Sequence, residues 1–134
     1  MTQILIIDDN PTIVGILEMG LQSSGYQVSS ANDGETGLAR AKALHPDLII
    51  LDIMMPKMDG YEVCQALKAD PVTANIPVIM LTAKGSIDDQ IPGEDSYDKN
   101  LQERLRGFEV GADDFITKPV KIKELKQRIE LLIQ

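Results

Sequence analysis

The chain has 134 residues, of which 43% are hydrophobic and 25% are charged, as is typical of a single globular domain with its own core. The formal net charge of −8 argues against direct binding to nucleic acid and favours cations or basic partner surfaces. No apolar stretch approaches the roughly 18 residues of a membrane span, no signal peptide is recognisable, and Cys64 is the single cysteine, so we expect a cytoplasmic protein.

The first half of the chain alternates predicted strands with predicted helices. Ile4–Ile7 is apolar at every position, which is typical of a strand buried on both faces of a parallel sheet. An amphipathic helix is predicted within residues 11–25, between a proline and a glycine. Tyr26–Ser30 alternates only weakly and is predicted to be an edge strand. Asp33 is the expected cap of a second helix, which ends at Leu44.

The second half continues this alternation. Leu48–Leu51 and Val78–Leu81 are again apolar at every position, and a shorter apolar pair lies at Phe115–Ile116. Three further helices are predicted from apolar residues at helical spacing: Val63, Cys64 and Leu67; Leu101, Leu105 and Phe108; and Ile122, Leu125, Ile129 and Leu132.

Five strand–helix units in succession predict an α/β fold with a doubly wound, five-stranded parallel sheet, right-handed crossovers and helices on both faces. The second and fifth strands are the weakest and are therefore placed at the edges. This placement gives the strand order 2-1-3-4-5, an order already known among doubly wound sheets. Residues 1–134 are predicted to form one domain.

Polar residues follow four of the five strands at their carboxyl ends, where such sheets bind ligands. Asp8 and Asp9 follow the first strand, Asp52 the third, Thr82 the fourth and Lys118 the fifth. Three converging carboxylates repel one another unless a cation lies among them. Oxygen ligands without His or Cys favour Mg²⁺ over zinc or copper. An Asp beside a metal is a known nucleophile toward phosphorus, and an ammonium and a hydroxyl suit phosphoryl oxygens.

Each of these residues also has an ordinary structural interpretation when it is considered alone. Asp52 could be a turn residue, Asp8 or Asp9 could cap the following helix, and Lys118 could be a surface lysine. Their joint placement at four strand ends favours a shared site. Cys64 is interpreted as core packing.

Four segments match a known family in content and in order: ILIIDDN at 4–10, LDIMMPKMDG at 51–60, PVIMLTA at 77–83 and GADDFITKP at 111–119. On these segments the chain resembles the receiver domains of two-component response regulators over nearly its whole length. The resemblance implies a flavodoxin-like fold and a cytoplasmic phosphorelay switch.

The resemblance also implies a metal site around a phosphoryl acceptor. Asp52 would accept the phosphoryl group. Asp9 and Asp52 would bind Mg²⁺ directly, together with the main-chain carbonyl of Met54, and Asp8 would act mostly through water.

Four more residues take roles from the resemblance. Thr82 would move to hydrogen-bond the phosphoryl group, and Lys118 would pair with it. Phe115 occupies the position of a switch aromatic residue, where the family often has Tyr, and Phe lacks the Tyr hydroxyl. Ala83, which is small, would keep the site open to the donor.

The partners implied are a sensor histidine kinase or a phosphotransfer protein as donor, and an output partner that the sequence does not identify. We expect a signalling switch with weak self-phosphorylation and self-dephosphorylation rather than an enzyme acting on a metabolite. Phosphorylation would switch the face formed by the fourth helix, fifth strand and fifth helix. The domain would be a monomer or a phosphorylation-dependent dimer. The last helix carries a short a/d pattern that either docks on the sheet or continues into a coiled coil.

The chain departs from the family between the fourth strand and the fourth helix. Residues 84–100 form an insertion with a net charge of −3, since five acidic residues oppose two lysines. We expect an exposed, mobile loop that affects partner choice. The Lys118–Pro119 bond is predicted to be cis, an isomer that is accessible mainly before proline.

Two other functions remain as alternatives. One is an aspartate-nucleophile phosphohydrolase, but such enzymes carry a second acid two positions after the nucleophile, where this chain has Met54. The other is a flavodoxin-like carrier, but no phosphate-cradling loop follows the first strand.

Overall fold

Five strands form a single parallel sheet in a computed structural model that describes residues 2–82, 102 and 105–133. The strands are β1 (Gln3–Ile7), β2 (Gln27–Ala31), β3 (Leu48–Asp52), β4 (Val78–Thr82) and β5 (Asp114–Thr117). Their order is β2-β1-β3-β4-β5, and every neighbouring pair is parallel. The predicted topology is confirmed, with the two weakest strands at the edges.

Helices pack on both faces of this sheet. They are α1 (Pro11–Ser23), α2 (Gly34–Leu44), α3 (Gly60–Ala69), α4 (residues 105–109) and α5 (Ile122–Ile133). The side chain of Asp33 accepts a hydrogen bond from the Thr36 amide, so the predicted cap of α2 is confirmed. Asp59 and Glu62 form a reciprocal capping box at the start of α3.

The apolar strands divide their side chains between two cores, because successive residues of a strand point to opposite faces. Leu5 and Ile7 of β1 pack with α2 and α3, whereas Ile4 and Ile6 pack with α1 and α5. Cys64 is fully buried in the first core, as predicted from its position in a helical apolar stripe. This division explains why the central strands are apolar at every position.

The apolar stripe predicted for the fourth helix is not its buried face. Leu105 is 53% exposed and Phe108 is 57% exposed, whereas Gly107 is buried. A Cβ on Gly107 would lie 2.4 Å from the Phe115 ring, so the absence of a side chain lets the helix backbone approach β5. Leu101, the first residue of the predicted stripe, lies outside the described residues, as do Ala83 and the insertion at 84–100.

The last helix docks on the sheet through the centre of its predicted stripe. Leu125 and Ile129 are fully buried, and Ile122 and Leu132 are partly buried against the same core. This packing supports the docking interpretation, while continuation into a coiled coil stays a prediction. None of the helices in the described part of the chain is both long and apolar enough to cross a membrane.

Gly60 at the start of α3 determines how closely this helix approaches β3. Its amide donates a hydrogen bond to the Ile53 carbonyl over 2.9 Å, and an added Cβ would lie 2.4 Å from the Asp52 carbonyl oxygen. The obstructing atoms, the Asp52 carbonyl group and the Ile53 Cα, belong to the backbone and cannot turn aside. Gly15, on α1, offers a contrast, because a Cβ added there would have no neighbouring atom within 4 Å.

We therefore predict that Gly60→Ala lowers the free energy of unfolding by about 1–3 kcal/mol, the usual cost of overpacking. Gly15→Ala should raise it by about 0.5–1 kcal/mol, because Ala is the better helix former. Urea unfolding of both variants measures the difference. Equal stability of the two variants would contradict the close approach at Gly60.

Candidate functional site

The strand register brings the predicted site residues to one edge of the sheet. Ile7 pairs with Leu51, so the residues that follow them, Asp8 and Asp52, occupy equivalent positions on adjacent strands. Thr82 ends β4 one residue beyond the partner of Asp52. Three residues of three strands therefore meet at the carboxyl edge, as the sequence predicts.

Three carboxylates form the centre of this edge. One oxygen from each of Asp8, Asp9 and Asp52 lies within 4.8 Å of the others. Asp8 is fully buried and Asp52 is 2% exposed, whereas Asp9 faces solvent. Buried carboxylates at this spacing repel one another strongly, because little water screens their charges.

Lys118 supplies a positive charge to this cluster. Its Nζ lies 2.8 Å from Asp52 Oδ1 and 3.7 Å from Asp8 Oδ2, so it hydrogen-bonds the first carboxylate and forms a longer ion pair with the second. The peptide bond between Lys118 and Pro119 is cis, as predicted. Lys118 therefore pairs with the carboxylates at this edge and is not a free surface lysine.

Backbone hydrogen bonds hold Asp8 in its buried position. Its amide donates to the Ala31 carbonyl over 3.1 Å, and its Oδ1 accepts from the Asn10 amide over 2.9 Å. Its Oδ2 has no hydrogen-bond partner among the residues that the structure describes. The cap of α1 is Asn10, which accepts from the Thr12 and Ile13 amides, so the capping interpretation of Asp8 or Asp9 is wrong.

Burial and the charges of this cluster shift the acidities of its members. The pKa of Asp52 is raised to about 6, mainly by burial and in part by the charges of Asp8 and Asp9, against the lowering effect of Lys118. Burial also raises the pKa of Asp8, partly offset by its hydrogen bond from the Asn10 amide. The cluster therefore resists full ionisation unless further positive charge is supplied.

The donor set fits a hard divalent cation. Three carboxylate oxygens converge, and one buried oxygen of Asp8 lacks a hydrogen-bond partner among the described residues. Mg²⁺ prefers such oxygen ligands and keeps positions for water and phosphate oxygens. The side chain of Met54 is 63% exposed, and the predicted role of its main-chain carbonyl stays a prediction.

Thr82 lies beside the cluster with a partner that the sequence did not predict. Its side chain is fully buried, and its Oγ1 lies 3.3 Å from Oγ1 of Thr117, its register partner on β5. A hydroxyl residue immediately before Lys118 was the available sequence signal for this pair. Phe115 is also buried and packs edge-on against Phe108, with ring centroids 4.5 Å apart.

Comparison with known proteins identifies the family. Residues 4–95 match the family model described as the response regulator receiver domain. The whole chain is 46% identical, over 134 residues, to the DNA-binding dual master transcriptional regulator RpaA of Synechocystis sp., of which it covers 50%. The chain thus spans about half the length of the curated relatives it matches.

Solved structures agree with this assignment. The signal receiver domain of a signal transduction histidine kinase from Syntrophus aciditrophicus is 36% identical, with a TM-score of 0.80 over 99% of this chain and 90% of that one. The receiver domain of a sensor histidine kinase from Pseudomonas aeruginosa, solved with a magnesium ion coordinated in its active site cleft, is 26% identical, with a TM-score of 0.80 over 98% of this chain and 97% of that one. The chain belongs to the response regulator receiver family and is a phospho-acceptor signalling switch of two-component systems.

Proposed function

We propose that Asp52 is the residue of this receiver domain that accepts the phosphoryl group. The observation that carries the proposal is the 2.8 Å ion pair between Lys118 Nζ and Asp52 Oδ1 inside a cluster of three carboxylates. Asp52 is the member of the cluster that ends the central strand and contacts Lys118 most closely. A phosphoryl group on Asp52 would remain within reach of the same ammonium.

The transfer is a nucleophilic substitution at phosphorus. An oxygen of the Asp52 carboxylate bonds to phosphorus while the P–N bond of a donor phosphohistidine breaks, and the electron pair leaves with the imidazole. Lys118 neutralises the added charge, and the Thr82 hydroxyl turns from Thr117 to donate a hydrogen bond to a phosphoryl oxygen. Hydrolysis of the acyl phosphate by water then gives the weak self-dephosphorylation that we propose.

The residues proposed to hold Mg²⁺ are Asp8, Asp9, Asp52 and, through its main-chain carbonyl, Met54. When bound, the cation would neutralise the carboxylates and polarise the phosphoryl oxygens. The buried Asp8 Oδ2, which lacks a hydrogen-bond partner among the described residues, and the convergence of three carboxylates support this set. The Pseudomonas aeruginosa receiver domain with a magnesium ion in its cleft supports it by analogy.

The proposed donor is a sensor histidine kinase or a phosphotransfer protein in the cytoplasm. We propose that residues 1–134 form one receiver domain with its insertion at 84–100, and that phosphorylation repositions α4, β5 and α5 to change contacts with an output partner or a second copy. The relative RpaA is a DNA-binding regulator of about twice this length, so a DNA-binding output is proposed outside the receiver. The phosphohydrolase alternative is not favoured, because Met54 cannot protonate a leaving group.

We predict that wild-type protein incubated with magnesium chloride and acetyl phosphate gains one acid-labile phosphoryl group, observed by intact mass. Asp52→Asn should gain none, because it lacks the nucleophile. Asp47→Asn is the matched control, since Asp47 is exposed at the opposite edge of the sheet and precedes the same strand. Full labelling of Asp52→Asn would exclude Asp52 as the acceptor.

A second prediction concerns the metal-free protein in EDTA. Between the ordinary Asp pKa of 3.8 and the raised value of about 6, the folded state holds a proton on Asp52 that the unfolded state has lost. Rising pH through this window therefore lowers the unfolding free energy, by up to about 3 kcal/mol from Asp52. In Asp52→Asn the decrease in unfolding free energy between pH 4 and 7, measured by urea unfolding, should be smaller than in the wild type. Parallel pH profiles for the two proteins would contradict the burial argument.

A third prediction concerns magnesium itself. Added Mg²⁺ should stabilise the wild-type protein, by about 2.7 kcal/mol at a concentration of 100 Kd. Asp9→Asn should be more stable than wild type without metal, because one repelling charge is gone, and should lose the response. Glu18→Gln is the control, since this acidic residue of α1 lies outside the cluster. Thermal melts with and without Mg²⁺ measure both effects, and an unchanged response in Asp9→Asn would exclude it as a ligand.

A further inference from the structure

A cation–π contact joins α4 to the start of α3. The guanidinium carbon of Arg106 lies 4.2 Å from the centroid of the Tyr61 ring, within the range of an attractive interaction. Arg106 is exposed on α4, whereas Tyr61 is buried with 6% of its surface accessible. The contact therefore covers one face of a buried aromatic ring with a solvent-exposed side chain.

Tyr61 is the second residue of α3 and directly follows Gly60, which lies against the backbone of Asp52. Gly60 precedes it, donates its amide hydrogen bond to Ile53, and leaves no room for a Cβ against the Asp52 carbonyl oxygen. A displacement of the Asp52 backbone is thus transmitted to Tyr61 through groups in direct contact. Arg106 in turn makes α4 sensitive to the position of Tyr61.

The described residues of α4 have a second attachment, to the strands. Gly107 packs against the Phe115 ring and Met80, and Phe108 packs edge-on against Phe115. This attachment is apolar, and its members Gly107, Phe115 and Met80 are buried. Of the two attachments of α4, the Arg106 contact is therefore the exposed one, and it costs less free energy to break.

We propose that the Arg106–Tyr61 contact restrains α4 in the unphosphorylated domain, and that its loss favours the phosphorylated one. The proposal rests on the proposed acceptor role of Asp52. In the structure the Thr82 hydroxyl is buried and lies 3.3 Å from Thr117, so recruitment by a phosphoryl group must draw the end of β4 toward Asp52. That movement changes the surface on which α4 rests. A contact that stabilises only the resting arrangement makes phosphorylation less favourable by the free energy that the contact contributes.

The test measures binding of trifluoroberyllate, a stable mimic of the phosphoryl group, by calorimetry at fixed Mg²⁺. Arg106→Ala should lower the Kd by about two- to fivefold, the factor expected for an exposed cation–π contact. Tyr61→Phe keeps the ring and should bind like wild type. Tyr61→Leu removes the ring, and adding Arg106→Ala to it should produce no further change. Lys123→Ala, on the exposed surface of α5, controls for the lost positive charge.

The outcomes separate this inference from the proposed function. Failure of the wild-type protein to bind trifluoroberyllate would overturn the proposed acceptor site and with it this inference. Binding by wild type with an unchanged or raised Kd in Arg106→Ala would overturn the restraint alone. A merely structural role would lower the melting temperature of Arg106→Ala without moving the Kd. An equal fall in Kd for Lys123→Ala would assign the effect to net charge and would also overturn it.

Discussion

The structure depends on how positive charge is supplied to three carboxylates at a buried sheet edge. Lys118 provides one ammonium, 2.8 Å from Asp52 and 3.7 Å from Asp8, and a single ammonium cannot compensate these two buried carboxylates and the exposed Asp9 beside them. Burial, together with the charges of Asp8 and Asp9, raises the pKa of Asp52, and Asp8 Oδ2 has no hydrogen-bond partner among the described residues. This arrangement fits the proposal that a further cation binds here and that Lys118 shares the charge of an added phosphoryl group.

The fold supplies the rigidity that keeps these charges together. β1 and β3 are buried on both faces, so Asp8 and Asp52 follow strands that cannot tilt apart without exposing two apolar cores. Gly60 then brings α3 against the carbonyl of Asp52. The carboxylate cluster persists because disruption of the apolar packing around it would cost more free energy than the separation of the carboxylates would release.

Much of this arrangement could be predicted from the sequence, because its determinants are local. Continuous apolar runs indicate central parallel strands, and the residues at the ends of parallel strands must meet at one edge, so the sequence predicts that Asp8, Asp52 and Lys118 lie together.

Side-chain contacts between distant elements could not be predicted in this way. Helical periodicity indicated an apolar face with Leu105 and Phe108, but the buried residue is Gly107, because the Phe115 ring occupies the space beneath the helix. The Thr82–Thr117 pair likewise depends on strand register, which spacing alone does not determine.

The weak attachment of α4 suits a switch driven by one phosphoryl group. Such a group adds a charge of about −1.5 to −2, and at the proposed acceptor Asp52 this charge would act first on Lys118 and on nearby hydroxyls. The phosphoryl group can shift a conformational equilibrium only by the difference between its interaction free energies in the two states. A fully apolar, buried α4 would require a larger difference than these few contacts supply. In the described residues of α4, Leu105 and Phe108 are more than half exposed, and the attachment consists of Gly107, the edge-on Phe108–Phe115 contact and the exposed Arg106, so a smaller difference is enough. The same exposed side chains would then be available to the proposed output partner.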